Sequence, residues 1–179
     1  MKCAIQLVFS EKDQIKINNS RRALIDNGVH DEAVPINHIS LADIEIEKNQ
    51  IDVVKNIINE FSQNHKALKV VLSSAGSFMS KENVLFLSPT MTADLIKYND
   101  ELTNVLQRKN IQCGKYYTQN NWQPHCTISI RISDDELLLG FKTLKNNNIL
   151  PLEVCIDKID LLRFDPKPYK ELFTFNLID

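Results

Sequence analysis

The chain has 179 residues, enough for one substantial hydrophobic core or at most two small lobes. Apolar residues make up 43% and charged residues 25%, with a formal net charge of −2. That balance describes a globular chain and argues against a protein that grips long duplex nucleic acid through a broadly basic surface. No apolar stretch approaches the roughly 20 residues of a membrane span, and no signal peptide is expected, since only a short apolar run precedes Glu11, Lys12 and Asp13. Cys3, Cys113, Cys126 and Cys155 form no CxxC and no metal-finger spacing. A reducing cytoplasm and a monomeric chain are expected.

In chain order, residues 3–9 (CAIQLVF) read as a buried strand. Ser10 caps a helix over 11–27, with Ile17, Leu24 and Ile25 on one face and Gly28 as its stop. A strand over about 35–42 follows. Residues 48–64 form the clearest helix, with Ile51, Val54, Ile57, Ile58 and Phe61 at helical spacing. Strands near 67–74 and 83–88 flank a loop marked by Gly76 and Ser77, and Pro89 closes that unit. Residues 92–109 are helical, with Leu95, Leu102, Val105 and Leu106 inward. A polar loop over 112–121 leads to a strand over 122–132. Ser133-Asp134-Asp135-Glu136 is a capping box. The helix that it opens turns Leu137, Leu138, Phe141 and Leu144 inward and ends at Asn146-Asn147-Asn148. Strands near 150–164 and 171–178, joined by a Pro166/Pro168 turn, complete the chain. Strand–helix–strand units recur with no linker between them. They predict one α/β (α+β) domain over residues 1–179, built of two pseudo-symmetric lobes of antiparallel-rich sheet with helices outside and a central cleft.

One phrase occurs twice: His38-Ile39-Ser40-Leu41 and His125-Cys126-Thr127-Ile128. In a strand, residues two apart share a face. His38 then points with Ser40, and His125 with Thr127. Ile39 and Cys126 face the other layer, which makes Cys126 a buried, inert thiol and not a nucleophile. Two imidazoles, each beside a neutral hydrogen-bond donor, can hold a phosphate and move protons on both sides of it. One must be neutral and the other protonated. Neither motif histidine has a carboxylate beside it, and nothing in the pattern demands a metal or another cofactor. His30 and His65 sit just past helix ends and read as structural or solvent-exposed.

On these residues the chain resembles the two-histidine phosphoesterase superfamily, whose bacterial members are called 2′,5′ RNA ligase-like proteins. The hallmark is a pair of His-x-Ser/Thr-apolar motifs. Matching context includes Val34-Pro35 before the first motif, Trp122-Gln123-Pro124 before the second, and the stretch Val71 to Pro89 with its Gly76-x-Phe78 turn. The resemblance implies metal-independent chemistry with His38 and His125 catalytic and Ser40 and Thr127 binding phosphate. The implied reaction is hydrolysis of a 2′,3′-cyclic phosphodiester on a nucleotide or short RNA end, with 2′,5′ ligation as its reverse. Close variants act on 2′,5′-oligoadenylates or ADP-ribose cyclic phosphate. A non-catalytic binding module for a nucleotide or RNA end, and an ester hydrolase on the same scaffold, are the competing classes.

Phe78, Tyr116, Tyr117 and Tyr169 are candidates to stack on a base or wall the cleft. Trp122 reads as a packing residue. Family members acting on RNA ends commonly place a basic residue after the second motif. Here the nearest is Arg131, which alternation would put on His125's face. Lys115 is a second candidate phosphate contact.

Overall fold

The computed structural model describes residues 1–32, 36–79 and 82–178, so Val34-Pro35 lies outside the described residues. The elements are β1 (Lys2–Phe9), α1 (Glu11–Asp26), β2 (His38–Glu45), α2 (Ile51–Asn64), β3 (Leu68–Phe78), β4 (Asn83–Pro89), α3 (Ala93–Arg108), β5 (Cys126–Ile132), α4 (Asp134–Asn146), β6 (Leu152–Asp165) and β7 (Lys170–Asn176). Local chemistry sets the helix ends. The side chains of Ser10, Thr92 and Ser133 accept from the backbone N–H groups of Asp13, Leu95 and Glu136. Gly28 takes φ 91° just past α1, where a side chain would strain the backbone. Among the described residues no helix is long and apolar enough to cross a membrane.

The described strands form one antiparallel sheet in the order β2-β1-β6-β3-β4-β5, with β7 also paired to β6. The expected two lobes are therefore two ends of a single sheet. Strand β6 belongs to both. Its Leu152–Ile156 part pairs with β3, and its remainder lies between β1 and β7. Two units repeat, β1-α1-β2-α2-β3 and β4-α3-β5-α4-β6, and they interlock. Helix α1 packs on α4 and β5 of the second unit, while α3 packs on α2 and β2 of the first. The edge strands β2 and β5 touch each other, so the sheet curls until its ends meet.

One face of the sheet carries the core. Cys3, Ile5, Leu7 and Phe9 of β1 are buried with Ile17 and Leu24 of α1, Val54, Ile58 and Phe61 of α2, Leu102 and Leu106 of α3, and Leu144 of α4. Burial of this apolar surface is the main force that closes the sheet beneath its helices. Two side chains expected inward are exposed: Ile25 at 41% and Leu138 at 59%. Each lies one position off the stripe, since Leu24 and Leu137 take the core positions and 100° of helix rotation carries the next residue outward.

Strand boundaries also shift. Gly76 and Ser77 are not a loop. They lie within β3, which runs to Phe78 and pairs Gly76 with Phe86 of β4. A Cβ on Gly76 would fall 2.6 Å from the Phe86 ring, so this glycine serves close approach inside a strand and not a turn. Strand β2 begins at His38 and β5 at Cys126, leaving Trp122 to His125 as the approach to the strand.

Candidate active site

His38 and His125 stand at corresponding places, the first residue of β2 and the residue just before β5. The sheet's curl brings these strand ends together. The Trp122 indole donates to the Ser40 carbonyl oxygen at 3.0 Å, and the Cys126 thiol is hydrogen-bonded to the His38 backbone. The two imidazoles lie close enough for the charge of His125 to depress His38. Their settings mirror each other. Nδ1 of His38 donates to the Ile36 carbonyl oxygen at 2.8 Å, and Nδ1 of His125 donates to the Gln123 carbonyl oxygen at 2.8 Å. A carbonyl only accepts, so in both neutral rings the proton sits on Nδ1 and Nε2 carries the lone pair.

Each ring is held differently beyond that. Nε2 of His38 accepts from the Gln6 side-chain amide at 3.0 Å. The chain just before His38 is clamped by α1. The Asn37 side chain donates to Gln14 Oε1 at 2.9 Å and to Asn18 Oδ1 at 2.8 Å, and Gln14 Nε2 returns a bond to the Asn37 carbonyl at 2.7 Å. His125 is held by aromatic rings, with Phe78 edge-on at 4.8 Å and Phe86 at 5.2 Å between centroids.

Burial pushes the His38 imidazole down to about 4. The Ile36 hydrogen bond opposes this, and His125's charge reinforces it. Burial also lowers His125, against its hydrogen bond to Gln123. Both shifts favour the neutral ring in the free cleft. A phosphate anion bound between them would reverse that bias, because a neighbouring negative charge favours the imidazolium.

The hydroxyl partners follow their histidines. Ser40 shares a face with His38 along β2, and Thr127 lies opposite Phe86, whose ring packs on His125. Beyond Ser40 a bulge opposite Ile5 and Gln6 shifts the phase of β2. It brings Asp43 round to the Tyr117 hydroxyl, which is hydrogen-bonded to both Asp43 and Ser40. Burial raises the Asp43 carboxyl to about 6, with the Tyr117 bond acting against it. Burial, the Asp43 charge and the bond to Asp43 raise Tyr117, so it stays a phenol. The loop carrying Tyr117 is pinned to β2 by Asn99, whose amide donates to the Leu41 carbonyl at 2.8 Å and the Tyr117 carbonyl at 3.0 Å.

The other candidate residues disperse. Tyr116 is exposed, with Lys115 Nζ 4.7 Å above its ring. Tyr169 is exposed in the turn between β6 and β7. Arg131 does not keep His125's face. It takes φ 59° at a bulge where Asn83 pairs with Ile132 and Val84 with Ile130, and it ion-pairs with Glu32 at 3.1 Å and Glu82 at 3.4 Å. Cys126 is fully buried, and burial pushes its thiol up to about 12. His65 is buried, stacked on Phe61 at 3.7 Å and paired with Glu101 at 2.7 Å, while His30 is exposed 4.0 Å from Glu32. Among the described residues no three His, Cys, Asp or Glu side chains gather as a metal-holding group.

Sequence reasoning missed Gln6, Asn37, Asp43 and Phe86. Gln6 had a signal, as the one polar residue within the apolar run CAIQLVF.

Known proteins resemble the chain in sequence and in fold. A Bacillus licheniformis protein, named as a proposed phosphoesterase, is 28% identical over 164 residues, covering 90% of this chain and 89% of the relative. Crystal structures of a Thermus thermophilus protein and of Escherichia coli LigT with 3′-AMP each superpose with TM-score 0.67 at 14% identity. Each covers 99% of this chain and 98% of the other. The model of the 2′-5′ RNA ligase superfamily matches residues 13–168, a span holding both histidine motifs. With its paired motifs on the two meeting edges of one curled sheet, the chain belongs to the 2′-5′ RNA ligase superfamily, the two-histidine phosphoesterases.

Proposed function

We propose that this chain hydrolyses the 2′,3′-cyclic phosphodiester of a nucleotide or short RNA end without a metal. The observation that carries this reading is the mirrored pair of imidazoles, both fixed through Nδ1 by a backbone carbonyl, so that chemistry falls to Nε2, which in His38 holds the Gln6 amide. His38, kept neutral by burial and by the charge of His125, is the base, its Nε2 exchanging the Gln6 amide for the attacking water. It takes a proton from water as the water oxygen bonds to phosphorus. His125 gives its proton to the ribose oxygen as the P–O bond breaks, leaving a phosphate monoester. The hydroxyls of Ser40 and Thr127 donate to the non-bridging oxygens, whose charge persists through the transition state. Escherichia coli LigT has been solved with 3′-AMP and with phosphate. A nucleoside monophosphate, of the same kind as 3′-AMP, is the expected product here.

A panel of nucleoside 2′,3′-cyclic phosphates, 2′,5′-oligoadenylates, ADP-ribose cyclic phosphate and simple esters, assayed with EDTA present, tests the reading. Turnover of the 2′,3′-cyclic phosphates with the chelator present is the expected result. Nucleotide binding with no turnover, or turnover only with added divalent metal, would overturn it.

A further inference from the structure

Antiparallel register sets Ser40 of β2 opposite Gln6 of β1, Gln6 opposite Asp160 of β6, and Asp160 opposite Thr174 of β7. Side chains directly opposite share a face, so a polar row crosses four strands on the face that bears the site. Ser40 and Gln6 are already engaged in it. At the far end, Asp160 is only 1% exposed, yet its Oδ1 finds no hydrogen-bond partner among the described residues, and neither does Thr174 Oγ1. An unpartnered polar atom held out of water costs stability. Two side by side in one row point to a ligand that completes them. Both residues line a cavity of about 580 Å³ that also takes in Val8, Ile36, Gln14 and Asn18. Ile36 is the residue whose carbonyl holds His38, and Gln14 and Asn18 are the clamp on Asn37. The cavity thus adjoins the His38 side of the site. Two strand spacings separate Asp160 from Ser40, about 10 Å, close to the reach of a nucleoside from its 2′,3′ oxygens to the edge of its base.

We propose that the Asp160–Thr174 end of this cavity is a base subsite, holding the nucleobase of a substrate whose phosphate lies between Ser40 and Thr127. The assignment rests on the hydrolytic reading above for the place of the phosphate. Burial, reinforced by the charge of Glu171, pushes Asp160 up to about 8. The other charged groups lining the cavity are Lys158 on β6 and Glu11 on α1, which lie 3.9 Å apart. A protonated carboxyl presents an O–H donor beside a C=O acceptor. That pair matches any base edge with a donor next to an acceptor, such as an amino group beside a ring nitrogen. The Thr174 hydroxyl adds a second donor or acceptor. Val8 and Ile36 supply apolar wall.

The test compares wild type, Asp160→Ala, Asp160→Asn and Thr174→Val on adenosine 2′,3′-cyclic phosphate and on glycerol 1,2-cyclic phosphate, which has no base. Wild type should favour the adenosine substrate in kcat/KM. Asp160→Ala should erase about tenfold of that preference, chiefly through KM. Asp160→Asn, which keeps a donor beside an acceptor, should retain most of it, and Thr174→Val should lose part. Turnover of the glycerol substrate should stay within about twofold in all four. A preference unchanged in Asp160→Ala, or an equal loss on both substrates, would overturn the subsite and leave the hydrolytic reading standing. If wild type hydrolyses neither substrate, the hydrolytic reading fails. Calorimetric binding of adenosine 3′-monophosphate against glycerol 2-phosphate then decides the subsite. A preference lost in Asp160→Ala supports it, and a preference unaffected by the change overturns it.

Discussion

At the scale of single residues, the proposed chemistry turns on Nε2 of each imidazole, since a carbonyl fixes Nδ1 of both. His38→Ala and His125→Ala should each lower turnover by about 10²–10⁴, with circular dichroism unchanged. The double variant should lose far less than the product of the two, because the pair acts as a unit. Ser40→Ala and Thr127→Ala should each cost about 1–3 kcal/mol of transition-state stabilisation. Wild-type turnover in either histidine variant would remove that ring from the reaction. The pH profile carries a second prediction. The proposed reaction needs His38 neutral and His125 charged in the free protein. His38 loses its proton above about 4, and His125 titrates below its ordinary 6.5. The kcat/KM bell should therefore peak between about 4 and 6.5 and fall as pH rises beyond. A peak at or above neutrality would show that the roles or the protonation states are otherwise. The motif pair made the histidines, Ser40 and Thr127 legible, because each depends on two-residue alternation alone. Gln6 stood out only as a polar residue in an apolar run, and Asp160 not even so, since such a residue has no motif and its meaning comes from which strands lie beside it.

At the scale of elements, small breaks in regularity aim the side chains. The bulge in β2 turns Asp43 toward Tyr117, and the bulge in β5 turns Arg131 out to Glu32 and Glu82. A bulge adds one residue to one strand, and nothing in the local residue pattern marks where it falls, so the face of Arg131 could not be read from alternation. Helix cores were legible from their stripes, apart from Ile25 and Leu138 at the stripe's border. The Gly76 reading failed for a physical reason. Glycine marks turns and also marks places where another group must come close, and here the Phe86 ring occupies the space of a Cβ. Gly76→Ala should push that ring against Phe78 and His125. The expected loss is about 1–3 kcal/mol of stability, by overpacking, together with reduced turnover. Urea unfolding and activity measured on the same preparation check both. Stability lost with full activity would mean that Phe86 does not hold His125 in place.

At the scale of the whole molecule, the buried carboxyl on β6 links folding to pH. Asp160 ionises near its ordinary 3.8 when unfolded but only at about 8 in the fold. An acid whose folded value is raised leaves the unfolded chain with fewer protons, so the fold loses stability as pH climbs from about 4 to 8. Asp160→Asn cannot titrate. The difference in Tm between this variant and wild type should shift in the variant's favour across that window, as followed by thermal denaturation at pH 5 and pH 8. A difference independent of pH would show the carboxyl ionised within the fold. The repeated units and the antiparallel sheet were legible in the order of elements. The exchange of helices between the units was not, because which partner a helix chooses depends on contacts far along the chain.

That exchange gives the two histidines a common footing. Helix α1 grips Asn37 beside His38 through Gln14 and Asn18, and it also packs on β5, the strand that His125 enters. Helix α3 reaches from the second unit to β2 and fastens it through Asn99. A displacement of α1 is handed to both ends of the curled sheet. On the proposed chemistry one phosphate spans the gap between the imidazoles, and rings yoked in this way should keep that gap steadier than the position of either ring.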